Sequence, residues 1–142
     1  VAVDQVVERV VERARRRSGR SIEVDAQSFV MLGRPRELTR AVGNLVANAV
    51  KFSDAPAPVE VTVRPGMISV RDHGPGVAEV DRPHVFDRFY RSADARSKPG
   101  SGLGLAIVDQ VVRTHGGSVR VDDAVGGGAV FTITFPQSSP RG

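Results

Sequence analysis

The sequence predicts an α/β fold, a two-layer sandwich with a mixed, mainly antiparallel sheet and about three helices on one face of it. Three observations lead there. Apolar residues recur at helical spacing in three stretches, Val3 to Ala14, Leu38 to Val50 and Leu103 to Val112. Five short segments carry the alternating or continuous apolar pattern of strands, at 21–25, 59–63, 67–71, 119–121 and 130–135. Glycine and proline clusters punctuate the spaces between them.

The first helix presents Val3, Val6, Val7, Val10, Val11 and Ala14 on one stripe, with Asp4 placed to cap its start and Ser18-Gly19 to end it. A strand over 21–25 follows, then a short apolar run from Phe29 to Leu32. Pro35 suits the first turn of the second helix, whose apolar face is Leu38, Ala41, Val42, Leu45, Val46, Ala49 and Val50. The Asp54 to Pro58 stretch breaks it. Pro65-Gly66 turns Val59–Val63 back into Met67–Arg71 as a hairpin. From Asp72 to Ser101 the chain is irregular and charged, a length that in a compact domain signals function or disorder. The third helix stops at His115-Gly116-Gly117, and two strands flank Gly126-Gly127-Gly128. Residues 1–136 are expected to form a single domain and 137–142 a disordered tail.

Composition narrows the function. The 142 residues suffice for one core without staples. No cysteine is present, which excludes disulfides, thiolate metal sites, thiol nucleophiles and iron–sulfur clusters. No apolar run approaches the roughly 20 residues of a membrane-spanning helix. The basic end of the N-terminal segment follows its apolar part, the reverse of a signal peptide, and the start at Val1 suggests a piece of a longer chain. Twenty Lys and Arg against sixteen Asp and Glu give a net charge of +4. A nucleic-acid-binding module would fit that charge, but aromatic residues are only 5% and offer little for base stacking. The Arg13 to Arg20 cluster reads as a solvated helix end.

Four segments carry more polarity or glycine than packing needs. In Gly43-Asn44-Leu45-Val46-Ala47-Asn48-Ala49-Val50-Lys51-Phe52, the residues Asn44, Asn48 and Lys51 fall on one polar stripe of an apolar helix. Asn is poor inside helices, so two of them one turn apart suggest a ligand surface; a solvated face is the plain alternative. Asp72-His73-Gly74-Pro75-Gly76 places a carboxylate before a tight turn that backbone can approach closely, or is an ordinary Asx turn. Phe86-Asp87-Arg88-Phe89-Tyr90-Arg91 leads into a basic loop with Arg96 and Lys98. Gly100-Ser101-Gly102-Leu103-Gly104-Leu105 opens the third helix, where free N–H groups and the helix dipole favour phosphate. It is neither a Walker A loop nor a dinucleotide fingerprint.

In order and spacing these segments resemble the N, G1, F and G2 boxes of the catalytic ATP-binding (HATPase_c) domain of bacterial two-component sensor histidine kinases, with Gly126–Gly128 as the remaining glycine box. The tract from Phe86 to Gly117 resembles the actinobacterial members. The resemblance spans about Arg34 to Pro136 and implies the Bergerat (GHKL) sandwich, also found in gyrase, Hsp90 chaperones and MutL. It implies ATP and Mg²⁺ as cofactors. Asp72 would receive the adenine amino group, and Gly74 and Gly76 would let the base approach. Asn48 would ligate Mg²⁺ with Asn44 nearby, Lys51 would face phosphate and Phe52 would pack near the adenine. Arg91 and Arg96 would approach phosphates, with Lys98 beside them. Gly100, Gly102 and Gly104, with Leu103 and Leu105, would form the end of a nucleotide-covering loop and the start of the phosphate-binding helix.

Hydrolysing relatives and serine-directed anti-sigma kinases carry a Glu where this chain has Asn44, and Asn cannot act as a base. That favours a histidine kinase over a GHKL ATPase. The implied partners are ATP, the parent's phosphoacceptor helical hairpin and a response regulator, with no nucleic acid. The implied location is the cytoplasmic side of a membrane-bound parent, with this part monomeric. None of His73, His84 and His115 has the context of a phosphoacceptor, and each reads as a loop or cap residue.

Overall fold

The computed structural model describes residues 1–53, 56–87 and 104–136. Three helices and five strands follow in the order α1 (Val3–Ser18), β1 (Ile22–Ala26), α2 (Pro35–Phe52), β2 (Val59–Arg64), β3 (Met67–Arg71), α3 (Gly104–Thr114), β4 (Ser118–Asp123) and β5 (Ala129–Thr134). Among the described residues one 3-10 turn lies at Arg82–His84. The sheet order is β1-β2-β3-β5-β4. Only β1 and β2 run parallel, because α2 carries the chain back between them; the other pairs are antiparallel. The mixed sandwich expected from the sequence is the fold observed.

Each element buries the stripe its sequence sets aside. Val59, Val61 and Val63 of β2, Ile68 and Val70 of β3 and Phe131 and Ile133 of β5 are buried, while Glu60, Thr62, Ser69 and Thr132 between them stay partly exposed. One sheet face therefore meets the helices and the other is polar. Helix α2 packs against both α1 and α3, with Leu45, Val46 and Ala49 fully enclosed. This central position brings its remaining polar stripe toward the ends of β3 and α3.

Two local expectations change. Asp4 does not cap α1: the N-cap is Ala2, and an Asp4 carboxylate oxygen accepts the Phe29 N–H at 3.2 Å. The Phe29–Leu32 run lies against the chain start, where Val3 N–H reaches the Phe29 carbonyl at 2.8 Å, so Asp4 is used to hold that crossing. The arginine cluster is also more than a solvated helix end. Arg15 donates to the Ile22 carbonyl, and Arg20 reaches the end of α2. Arg13 and Arg17 remain exposed. The 137–142 tail lies outside the described residues.

Candidate functional site

Asp72 stands just past the end of β3 and is only 3% exposed. Its backbone N–H continues the sheet by donating to the Ala129 carbonyl at 2.9 Å. One carboxylate oxygen accepts two backbone N–H groups, from Gly74 at 3.0 Å and Ala129 at 3.1 Å. The side chain is thereby aimed by the fold, and its second oxygen makes no hydrogen bond among the described residues. A buried carboxylate with one uncommitted oxygen is suited to accept from an amino group, at about 1.5–3 kcal/mol for a charged acceptor.

Two positions at the turn behind it admit no side chain. A Cβ on Gly74 would lie 2.0 Å from the Phe52 carbonyl oxygen, so this glycine lets the turn press directly on the end of α2. A Cβ on Gly128 would lie 2.1 Å from the Asp72 carbonyl oxygen, and its φ of +88° suits glycine alone. The loop before β5 thus closes over the same turn from the other side. Gly76 sits against that loop at the Gly128 carbonyl. Arg71 secures the loop by donating to the Val125 carbonyl at 2.6 Å and the Gly127 carbonyl at 3.2 Å.

Across the site, α2 presents Asn44, Asn48 and Lys51. Asn44 donates its amide N–H to the Arg40 carbonyl at 2.9 Å, which turns its oxygen toward the first turn of α3. That oxygen would be 3.2 Å from a Cβ at Gly104, so glycine allows the two helices this approach. Asn48 is half-buried and its amide makes no hydrogen bond among the described residues. The Lys51 ammonium lies 5.2 Å from the centre of the half-buried Phe52 ring. Leu105 packs against the core beneath the start of α3.

Asn44, Asn48, Lys51 and Phe52 thus lie on the second half of α2, Asp72, Gly74 and Gly76 just past β3, and Gly104 and Leu105 at the start of α3, with Phe52 meeting Gly74 and Asn44 meeting Gly104. Arg91, Arg96, Lys98, Gly100, Gly102 and Leu103 lie outside the described residues. The segment leading to them is anchored by Phe86, which meets Phe131 edge-on at 6.1 Å, and by Arg82, paired with Asp123 at 2.6 Å. The histidines are all occupied locally. His73 pairs with Glu60 at 2.8 Å and His84 with Asp87 at 3.2 Å. His115 donates from Nδ1 to the Val111 carbonyl and accepts the Arg34 N–H at Nε2, tying the end of α3 to the start of α2.

Sequence reading missed Ser53, whose hydroxyl oxygen accepts the His73 N–H at 3.0 Å, and the Ala129 N–H. A backbone donor leaves no trace in residue identity. The triple glycine at 126–128 was the visible sign that something approaches closely there.

Comparison with known proteins shows the family and the fold. Residues 33–139 match the family described as histidine kinase-, DNA gyrase B- and HSP90-like ATPases. The signal transduction histidine-protein kinase/phosphatase MprB of Mycobacterium avium (strain 104) is 47% identical over 134 residues, covering 90% of this chain and 26% of the relative. The chain thus spans about a quarter of the length of the curated relatives it matches. Among solved structures, the mycobacterial sensor histidine kinase MprB superposes with a TM-score of 0.85 at 40% identity, covering 96% of this chain and 95% of that one. The ATP-binding domain of PrrB from Mycobacterium tuberculosis gives 0.77 at 30% identity, with 98% and 96% covered.

Proposed function

Because the chain belongs to the histidine kinase-, DNA gyrase B- and HSP90-like ATPase family, as an ATP-binding domain of the sensor histidine kinase type, we propose that its parent transfers the γ-phosphoryl group of ATP to a histidine on a helical hairpin, for relay to a response regulator. Residues 1–136 would act as the nucleotide-holding unit on the cytoplasmic side of a membrane-bound parent. No helix among the described residues is long and apolar enough to cross a membrane.

The observation that carries the reading is the carboxylate of the buried Asp72, fixed by two backbone donors with one oxygen making no hydrogen bond among the described residues. It would accept the 6-amino group of adenine; guanine would set a carbonyl oxygen against it. Gly74 and Gly76 would let the base approach the turn. Phe52 would lie near the base and Lys51 would face phosphate.

Mg²⁺ prefers oxygen and draws much of its shell from phosphates and water, so one protein oxygen can suffice. The Asn48 amide, which makes no hydrogen bond among the described residues, fits that requirement, with the Asn44 oxygen one turn away. When bound, the cation would neutralise charge on the transferring phosphoryl group. Arg91, Arg96 and Lys98 would add positive charge, and the glycine run ending at Gly104 would bring the α3 N-terminus to phosphate.

Asn44 cannot take a proton from water, which favours transfer to an acceptor side chain over hydrolysis. His73, His84 and His115 are committed to local contacts, so the acceptor comes from elsewhere. Incubation with radiolabelled ATP tests this. The chain alone acquires no label and turns over slowly; adding the parent's histidine hairpin yields acid-labile phosphohistidine. Stable self-labelling, or fast hydrolysis without the hairpin, would refute the assignment.

A further inference from the structure

Helix α2 ends against the turn that follows Asp72, and this junction is fastened by two residues with no role so far. Ser53 is the C-cap of α2 and only 6% exposed. Its hydroxyl oxygen accepts the His73 N–H at 3.0 Å, in the turn between Asp72 and Gly74. Arg20 lies between α1 and β1, ahead of the residues that match the family. Its guanidinium spans the end of α2, donating to the Val50 carbonyl at 3.1 Å and the Ser53 carbonyl at 2.8 Å.

These contacts join into one path. Carbonyls in the last turn of a helix have no partner within it, and a cation there also suits the dipole. A planar guanidinium can hold two such oxygens in fixed relation, where an ammonium acts as a point charge. Arg20 therefore sets where Ser53 sits, Ser53 holds the His73 N–H, and His73 is the neighbour of Asp72. The Phe52 carbonyl presses on Gly74 in the same junction. The turn of α2 being fixed is the one that carries Lys51 and Phe52, while the turn being gripped carries the Asp72 carboxylate.

We propose that Ser53 and Arg20 are positioning residues for base recognition: they hold the Asp72 turn in register with the end of α2 without touching the nucleotide themselves. The proposal rests on the adenine-nucleotide reading above. It deepens that reading by placing part of the base selectivity in residues outside the contact surface, one of them outside the matched segment.

The test is calorimetric titration of ADP and GDP on the unaltered chain and on Ser53→Ala and Arg20→Gln, well below each protein's melting temperature. A misplaced Asp72 weakens ADP while leaving the already poor GDP affinity alone, so the ratio of the two dissociation constants falls. Ser53→Ala leaves the His73 N–H without its partner, and the expected fall is about tenfold. Arg20→Gln acts one contact further away and lowers the ratio by less. Hydrogen exchange at the His73 amide should quicken in both variants. Loss of general stability alone would instead weaken both nucleotides equally and keep the ratio. An unchanged ratio in both variants, with the unaltered chain preferring ADP, overturns the proposal. If Ser53→Ala does not fold, Arg20→Gln decides on the same ratio. If the unaltered chain itself shows no preference for ADP, the adenine reading fails and this inference with it.

Discussion

The two ends of the candidate site are built in opposite ways. At the Asp72 end nearly every polar group is committed: one carboxylate oxygen holds two backbone N–H groups, and two glycines let neighbouring backbone press on the turn. At the Asn48 end the amide has no protein partner among the described residues, although it is half-buried on a rigid helix. On the proposed reading, the first end would select by shape and hydrogen-bond sense, and the second would offer oxygen atoms to a cation and phosphates. That division would separate recognition from transfer, since only the phosphate end would change as the phosphoryl group leaves.

The sharpest way to break this contrast is Asp72→Asn, which keeps the shape but replaces an uncommitted carboxylate oxygen with a group that can present N–H. The variant is expected to lose on the order of ten- to a hundredfold in ADP affinity by calorimetry, the range for one charged-acceptor hydrogen bond. The loss should be the same with and without Mg²⁺. A smaller and conditional effect belongs to the other end. Asn48→Ala should weaken ADP by on the order of tenfold in Mg²⁺ and leave binding in EDTA unchanged, the size expected for losing one contact to a charged group. Equal weakening in both buffers would mean that Asn48 serves the base end.

The smallest effect lies away from the site and provides a control. Arg64 donates to Asp25 at 2.8 Å across β1 and β2, and this hydrogen bond, aided by the charge, holds the carboxyl below its usual 3.8. A carboxyl lowered on folding adds stability above its unfolded pKa, and that stability fades as pH falls through the lower folded value. The pair is solvent-exposed, so its contribution is slight. Arg64→Gln should lower the melting temperature slightly at pH 6. The difference from the parent should shrink as pH falls through the lowered folded value and vanish once the carboxyl is protonated in both states. Nucleotide affinity should not change.

Much of the fold was legible because its signals are periodic. The α2 stripe from Leu38 to Val50 and the alternation of Val59, Val61 and Val63 each match one buried face. The polar positions Asn44, Asn48 and Lys51 stood out against that same stripe. Where sequence reading fell short, the deciding contact was long-range or made by backbone. Asp4 looks like a helix cap by position, but the Phe29 N–H, brought against the chain start by the segment after β1, takes its carboxylate. Arg20 looks like part of a solvated basic run, yet it spans 33 residues to the Ser53 carbonyl. Nothing in the identity of Ala129 announces that its N–H orients Asp72. Such pairings exist only once β3 and β5 lie side by side.

The most direct measurement is titration of the unaltered chain with ADP and GDP, each in Mg²⁺ and in EDTA. Base recognition by a preformed Asp72 turn predicts that ADP is preferred by the same factor in both buffers, with Mg²⁺ raising affinity but not selectivity. Equal affinity for GDP, or a preference that disappears in EDTA, would contradict it.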